Sequence, residues 1–142
     1  MSELTERYER RAEKANELLE HIADRGRRFF AHEGRVSRFE VDARGRVWFI
    51  DKYQEDRLYC HGRHALTSWR FSEGGTLRSL CLALVGYIRT GKPLGGHFGP
   101  WPEWICDGDP WGYGFEAMHG IRYHARELGI LSLVPCRMEE AL

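Results

Sequence analysis

The sequence predicts a single α+β domain spanning residues 1–142, with an N-terminal helix, a three- to four-stranded antiparallel meander and two further helices packed on the sheet. Three observations carry this. Apolar residues first recur at spacings of three and four. From Arg35 the spacing changes to alternation. After Gly74-Gly75 helical spacing returns twice, on either side of a long loop rich in Gly, Pro and Trp.

Ser2 caps a helix beginning at Glu3, whose first turns carry acidic residues suited to the positive end of the helix dipole. Leu4, Tyr8, Ala12, Ala15, Leu19 and Ile22 fall on one narrow stripe, fit for packing on another helix or a partner. Glu3 and Arg7 stand one turn apart, and Gly26 provides a stop. Val36 to Val41, Val47 to Asp51 and Arg57 to His61 read as strands, with Ser68 to Phe71 as an extension. Asp42-Ala43-Arg44-Gly45 suits a hairpin loop with Gly45 at positive φ. Trp48, Ile50, Leu58 and Cys60 are expected on the covered face of this meander. Thr76 is expected to cap the next helix, whose apolar face comprises Leu77, Leu80, Cys81, Leu84, Val85 and Ile88, with Gly91 and Pro93 ending it. Such a helix would lie across the meander. A last helix from Phe115 to Leu128 points Phe115, Met118, Ile121, Ala125 and Leu128 inward, Gly129 stops it, and 130–134 closes the chain as an extended segment.

Composition narrows the function. Twenty-one basic residues balance twenty-one acidic ones, so the chain is neither a general nucleic-acid coat nor an acidic DNA mimic, although a local basic patch is compatible. Cys60, Cys81, Cys106 and Cys136 are widely spaced with no C-x-x-C pair, the N-terminus is charged, and no stretch is apolar enough to span a bilayer. These features predict free thiols and a cytoplasmic location.

The segment from Gly95 to Gly114 holds three of the five tryptophans and three of the five prolines. Tryptophan buries a large area yet keeps an N–H for a partner, and proline lowers the entropy lost on ordering a loop. A preorganised binding loop is one reading, with Phe98, Trp101, Glu103, Trp104, Asp107, Asp109, Trp111 and Tyr113 as the partner-binding residues. The plainer reading has Trp101, Trp104 and Trp111 capping a small core beneath the loop.

A second candidate is the cluster Arg25, Arg27, Arg28, Arg35 and Arg38. Phe29, Phe30 and His32 are interleaved with it, as in a phosphate-contacting strip with stacking partners. A solvated face that also compensates the helix dipole explains the same residues. A third is a hydrolase or transferase site around His97, Asp107 and Asp109, although Asp-Gly-Asp-Pro is equally a turn sequence. Cys60, His61, His64 and Cys106 are metal-ligand types, but no second pair stands at finger-like spacing. His119 and His124, five apart on a helix, sit about 140° around it from each other. No catalytic residue, metal or cofactor is assigned from these patterns.

The runs Ser72-Glu-Gly-Gly-Thr-Leu-Arg-Ser-Leu80, Tyr87-Ile-Arg-Thr-Gly-Lys-Pro93 and Phe98-Gly-Pro-Trp-Pro-Glu-Trp-Ile-Cys106 resemble small accessory proteins of proteobacterial conjugative and integrative elements and prophages. The resemblance covers the central and C-terminal two-thirds of the chain. It implies mobile-element cargo that serves regulation, maintenance or interference with host defences such as CRISPR or restriction, and it assigns no site residues. The expectation is therefore a non-enzymatic protein that binds a host or element protein or ribonucleoprotein through the 95–114 loop and inhibits by steric blockade. Nucleic-acid binding through the arginine cluster is the alternative.

Overall fold

The computed structural model describes residues 2–25, 28–53, 55–60, 75–94 and 115–131, and they form an α+β arrangement. Helix α1 (Glu3–Ala23) begins where Ser2, in extended conformation, accepts a hydrogen bond from Thr5 N at 3.1 Å. That cap satisfies one of the orphan donors of the first turn. Glu3 and Arg7 form an exposed ion pair at 3.7 Å.

The buried side of α1 is Thr5, Ala12, Ala15, Leu18, Leu19, Ile22 and Ala23, broader than the expected stripe, while Leu4 is 52% exposed. The reason is position. One flank of α1 lies on the strand Arg38–Val41 and another meets the two later helices, so its C-terminal half is covered from two sides. Small residues at 12 and 15 let those neighbours approach closely.

A two-stranded hairpin, β1 (Ala31–His32) with β2 (Arg35–Val36), precedes the main sheet. Glu33 and Gly34 both have positive φ (50° and 77°), the combination that a type I′ turn requires. The sheet itself is antiparallel in the order β3 (Arg38–Val41), β4 (Val47–Asp51), β5 (Asp56–Tyr59). Gly45 takes φ +79° in the β3–β4 loop, where Asp42 Oδ1 accepts from the backbone N–H groups of Arg44 and Arg46, each at 2.9 Å.

The inner face of the sheet is Phe39, Val47, Phe49, Leu58 and Cys60. This corrects the expected face in part. Leu58 and Cys60 are covered, but Trp48 and Ile50 point the other way. Val47-Trp48-Phe49-Ile50 is apolar at every position, so alternation alone cannot choose its parity. The choice falls to packing: Phe49 meets Phe39 and Phe30 edge-on, with centroids 5.4 and 6.3 Å apart. On the far flank of β3, Asn16 of α1 donates to Phe39 O at 3.0 Å and accepts from Phe39 N. Its carboxamide stands in for a neighbouring strand and blunts that edge.

Helix α2 (Gly75–Thr90) starts one residue before Thr76. Its expected apolar face is buried throughout, with Ala83 and Tyr87 added. Gly91 at φ +77° ends it, and Arg11 of α1 donates to Ile88 O at 3.1 Å. A β-carbon on Gly91 would stand 2.9 Å from that guanidinium, so two constraints meet at this residue. Helix α3 (Phe115–Glu127) buries Ile121, Arg122 and Ala125, with Leu128 half-buried beyond it. Leu94 and Leu131 form a parallel bridge, in which Leu94 N donates to Ile130 O at 2.6 Å. Among the described elements α1, not α2, is the helix that lies against the sheet, and α2 and α3 pack on α1. The residues Ser68 to Phe71 and 132–134 lie outside the described residues.

Candidate functional site

Because the strands alternate, the inner aromatic layer dictates what faces outward. Two cross-strand rows result: Arg38, Ile50 and Arg57 in one, Glu40, Trp48 and Tyr59 in the next. The centre is Trp48. The Arg57 guanidinium stands over its ring at 4.3 Å from the centroid, and that of Arg46 at 5.9 Å. The Tyr59 ring lies 4.9 Å away at a 31° tilt, and Tyr59 is 41% exposed. Trp48 Nε1 donates to Asp42 Oδ2 at 3.1 Å, and Arg46 Nε donates to the same oxygen at 2.7 Å.

Asp42 anchors this arrangement. Partial desolvation opposes its ionisation, but hydrogen bonds from Arg46 N, the Trp48 indole, the Arg46 side chain and Arg44 N outweigh that and hold its carboxyl well below the usual range. The indole is thus fixed in orientation by an ionised carboxylate, with arginine and tyrosine arrayed around it. Such a surface can stack planar groups and contact anions.

The expected arginine cluster is dispersed. Arg38 joins the sheet face and pairs with Glu40. Arg35 pairs with Glu55. Arg25 turns toward α3, donating to His21 O at 3.3 Å and lying against Gly120. Arg28 is exposed beside the hairpin, and Arg27 lies outside the described residues. The interleaved aromatics do not form a stacking strip. Phe30, at φ 69°, is 1% exposed and belongs to the core; Phe29 packs against that core; His32 meets Tyr53 edge-on at 4.8 Å.

The sequence reading missed Arg46, Arg57 and Tyr59. The signal was present: an arginine stands two residues before an aromatic residue at Arg46 and Trp48 and again at Arg57 and Tyr59, the spacing that puts both on one face of extended chain. Phe98, Trp101, Glu103, Trp104, Asp107, Asp109, Trp111 and Tyr113, together with His97, lie outside the described residues, as do His61, His64, Cys106 and Cys136.

A second feature sits at the other end of α1. His21 and His124 stack face to face, with centroids 3.7 Å apart and planes within 7°. Burial, His124 and Arg25 lower the His21 pKa from 6.5, against weaker opposing effects of Glu17 and Asp24. Beside it an open cleft of about 940 Å³ is lined by carboxylates that include Glu17, Glu20, Asp24 and Glu33. Among the described residues no three His, Cys, Asp or Glu side chains converge as a metal site. Cys60 and Cys81 are buried free thiols, and burial pushes Cys60 up to about 12, which removes it as a nucleophile near neutral pH. No helix among the described residues is long and apolar enough to cross a membrane.

Fold and surface together define a small α+β protein whose antiparallel sheet is covered by a helix on one side and carries arginine and aromatic residues on the other. The chain belongs to the YoqU family, whose model matches residues 5–139. No curated protein and no solved structure matches it significantly.

Proposed function

We propose that this chain is a non-enzymatic accessory protein that acts by binding, and that the outward sheet face is its binding surface. The observation that supports the reading is the Arg57–Trp48–Tyr59 arrangement held by Asp42. A tryptophan oriented by a hydrogen bond to a loop carboxylate, with arginine and an exposed tyrosine beside it, has the composition of a binding hot spot. It also loses little side-chain entropy on binding, because its contacts are already made. Carried on a mobile element, such a protein would act by occupying a host or element protein or ribonucleoprotein, and an anti-defence inhibitor working by steric blockade is the concrete form.

The test is capture from host lysate with the tagged intact protein, in parallel with a Tyr59→Ala, Arg57→Ala double variant whose folding is checked by circular dichroism. The expected outcome is a defined set of partners that the folded variant fails to retain. Identical recovery by both proteins would remove the sheet face from consideration as the binding surface.

A further inference from the structure

Resting on the reading of the sheet face as the binding surface, we propose that it engages the single-stranded nucleic-acid part of a ribonucleoprotein, with bases stacked on Tyr59 and on the Arg57 guanidinium that covers Trp48, and the backbone held by arginine. Geometry comes first. Trp48 and Tyr59 are register partners on adjacent strands, so their rings project from one face at the spacing of neighbouring strands. An open antiparallel sheet that displays rings in this way offers platforms to unstacked bases, whereas paired bases in a duplex keep their faces hidden.

Charge supplies the second argument. The chain as a whole is neutral. On this face and its adjoining loop, however, Arg38, Arg44, Arg46 and Arg57 stand against Glu40 and Asp42. Arg38 pairs with Glu40 and Arg46 with Asp42, so the net positive charge beside the rings comes from Arg44 and Arg57. Guanidinium suits both tasks, because it stacks on a ring and can bond a phosphate with its edge. Arg57 already adopts the stacked position over Trp48. Stacking and phosphate contact do not read the sugar, so DNA and RNA strands are both accommodated.

The experiment measures fluorescence anisotropy of labelled oligo-dT and oligo-U of about fifteen nucleotides, with a duplex of equal length, over a salt series. Both single strands should bind more tightly than the duplex, and binding should weaken as salt rises. Tyr59→Ala should weaken it by about ten- to a hundredfold, the loss of one base stack, while Tyr59→Phe keeps most of the affinity. Arg57→Gln should reduce the salt slope by about 0.7, the loss of one phosphate contact. Tyr123→Ala is the control, exposed on α3 and remote in the chain from the sheet. Absent binding at low salt overturns the inference, as does equal affinity for duplex or affinity unchanged by both Tyr59→Ala and Arg57→Gln. If oligonucleotides fail while lysate capture still depends on Tyr59 and Arg57, the face binds a protein and only this inference falls. If capture is also indifferent to those residues, the proposed function falls with it.

Discussion

At the scale of single residues, the most informative pair is His21 and His124. Two imidazoles stacked at 3.7 Å, with Arg25 Nη1 3.4 Å from His21 Nδ1, disfavour a proton on His21. Its folded pKa therefore lies below the 6.5 of the unfolded chain, first because of burial and then because of His124 and Arg25. The sign follows from linkage. Between the two values the unfolded state binds more protons, so stability rises with pH. The contribution is present above about 6.5 and is lost as pH falls through the folded value. Urea denaturation across that range should show the midpoint dropping on acidification, and His21→Gln should flatten the drop. A wild-type profile no steeper than that of the variant would show that the stack carries no such penalty.

At the scale of elements, the parity of β4 decides which side chains are core and which are available. Phe49 is fully buried against Phe39 and Phe30, so Phe49→Ala should cost about 3–5 kcal/mol through lost burial and the cavity left behind. Trp48 is half-buried on the opposite face, and Trp48→Ala should cost less, about 2 kcal/mol, from its arginine contacts and its indole bond. Chemical denaturation of the two variants gives the comparison directly. The reverse ranking would mean that the strand is registered the other way round. The same element shows where the sequence was opaque. Alternation is a guide only when polar residues mark one face, and four consecutive apolar residues from Val47 to Ile50 mark neither. On β5, by contrast, Arg57 and Tyr59 flank Leu58, and the covered positions were legible.

At the scale of the whole molecule, α1 joins the parts. It lies on β3, Asn16 bonds the β3 backbone, Arg11 caps α2, and His21 stacks on α3. A helix so placed couples the sheet to the helices, and neither side retains its core without it. Leu19→Ala, at a position with no exposure, should therefore lower stability by about 2–5 kcal/mol and leave a single transition. Far-ultraviolet circular dichroism and tryptophan fluorescence should report the same midpoint. Separate midpoints would show that α1 does not bind the domain into one cooperative unit.

What the sequence determined by itself was local: the α+β class, the helix starting beside Ser2, the stops at Gly91 and Gly129, the turn at Gly45, and the apolar face of α2. Each depends on spacing within one turn or on a backbone conformation that few residues accept, so the residues concerned announce themselves. Tertiary structure decided the rest. The burial of Phe30, the role of α1 as the helix against the sheet, and the pairing of Arg35 with Glu55 all depend on partners far away in the chain. The sheet face arises in the same way. Trp48 on one strand, with Arg46 just before it, and Arg57 and Tyr59 on another are unremarkable as separate spacings, and they become a surface only when an antiparallel register sets the strands side by side and an inner layer of phenylalanine turns them outward.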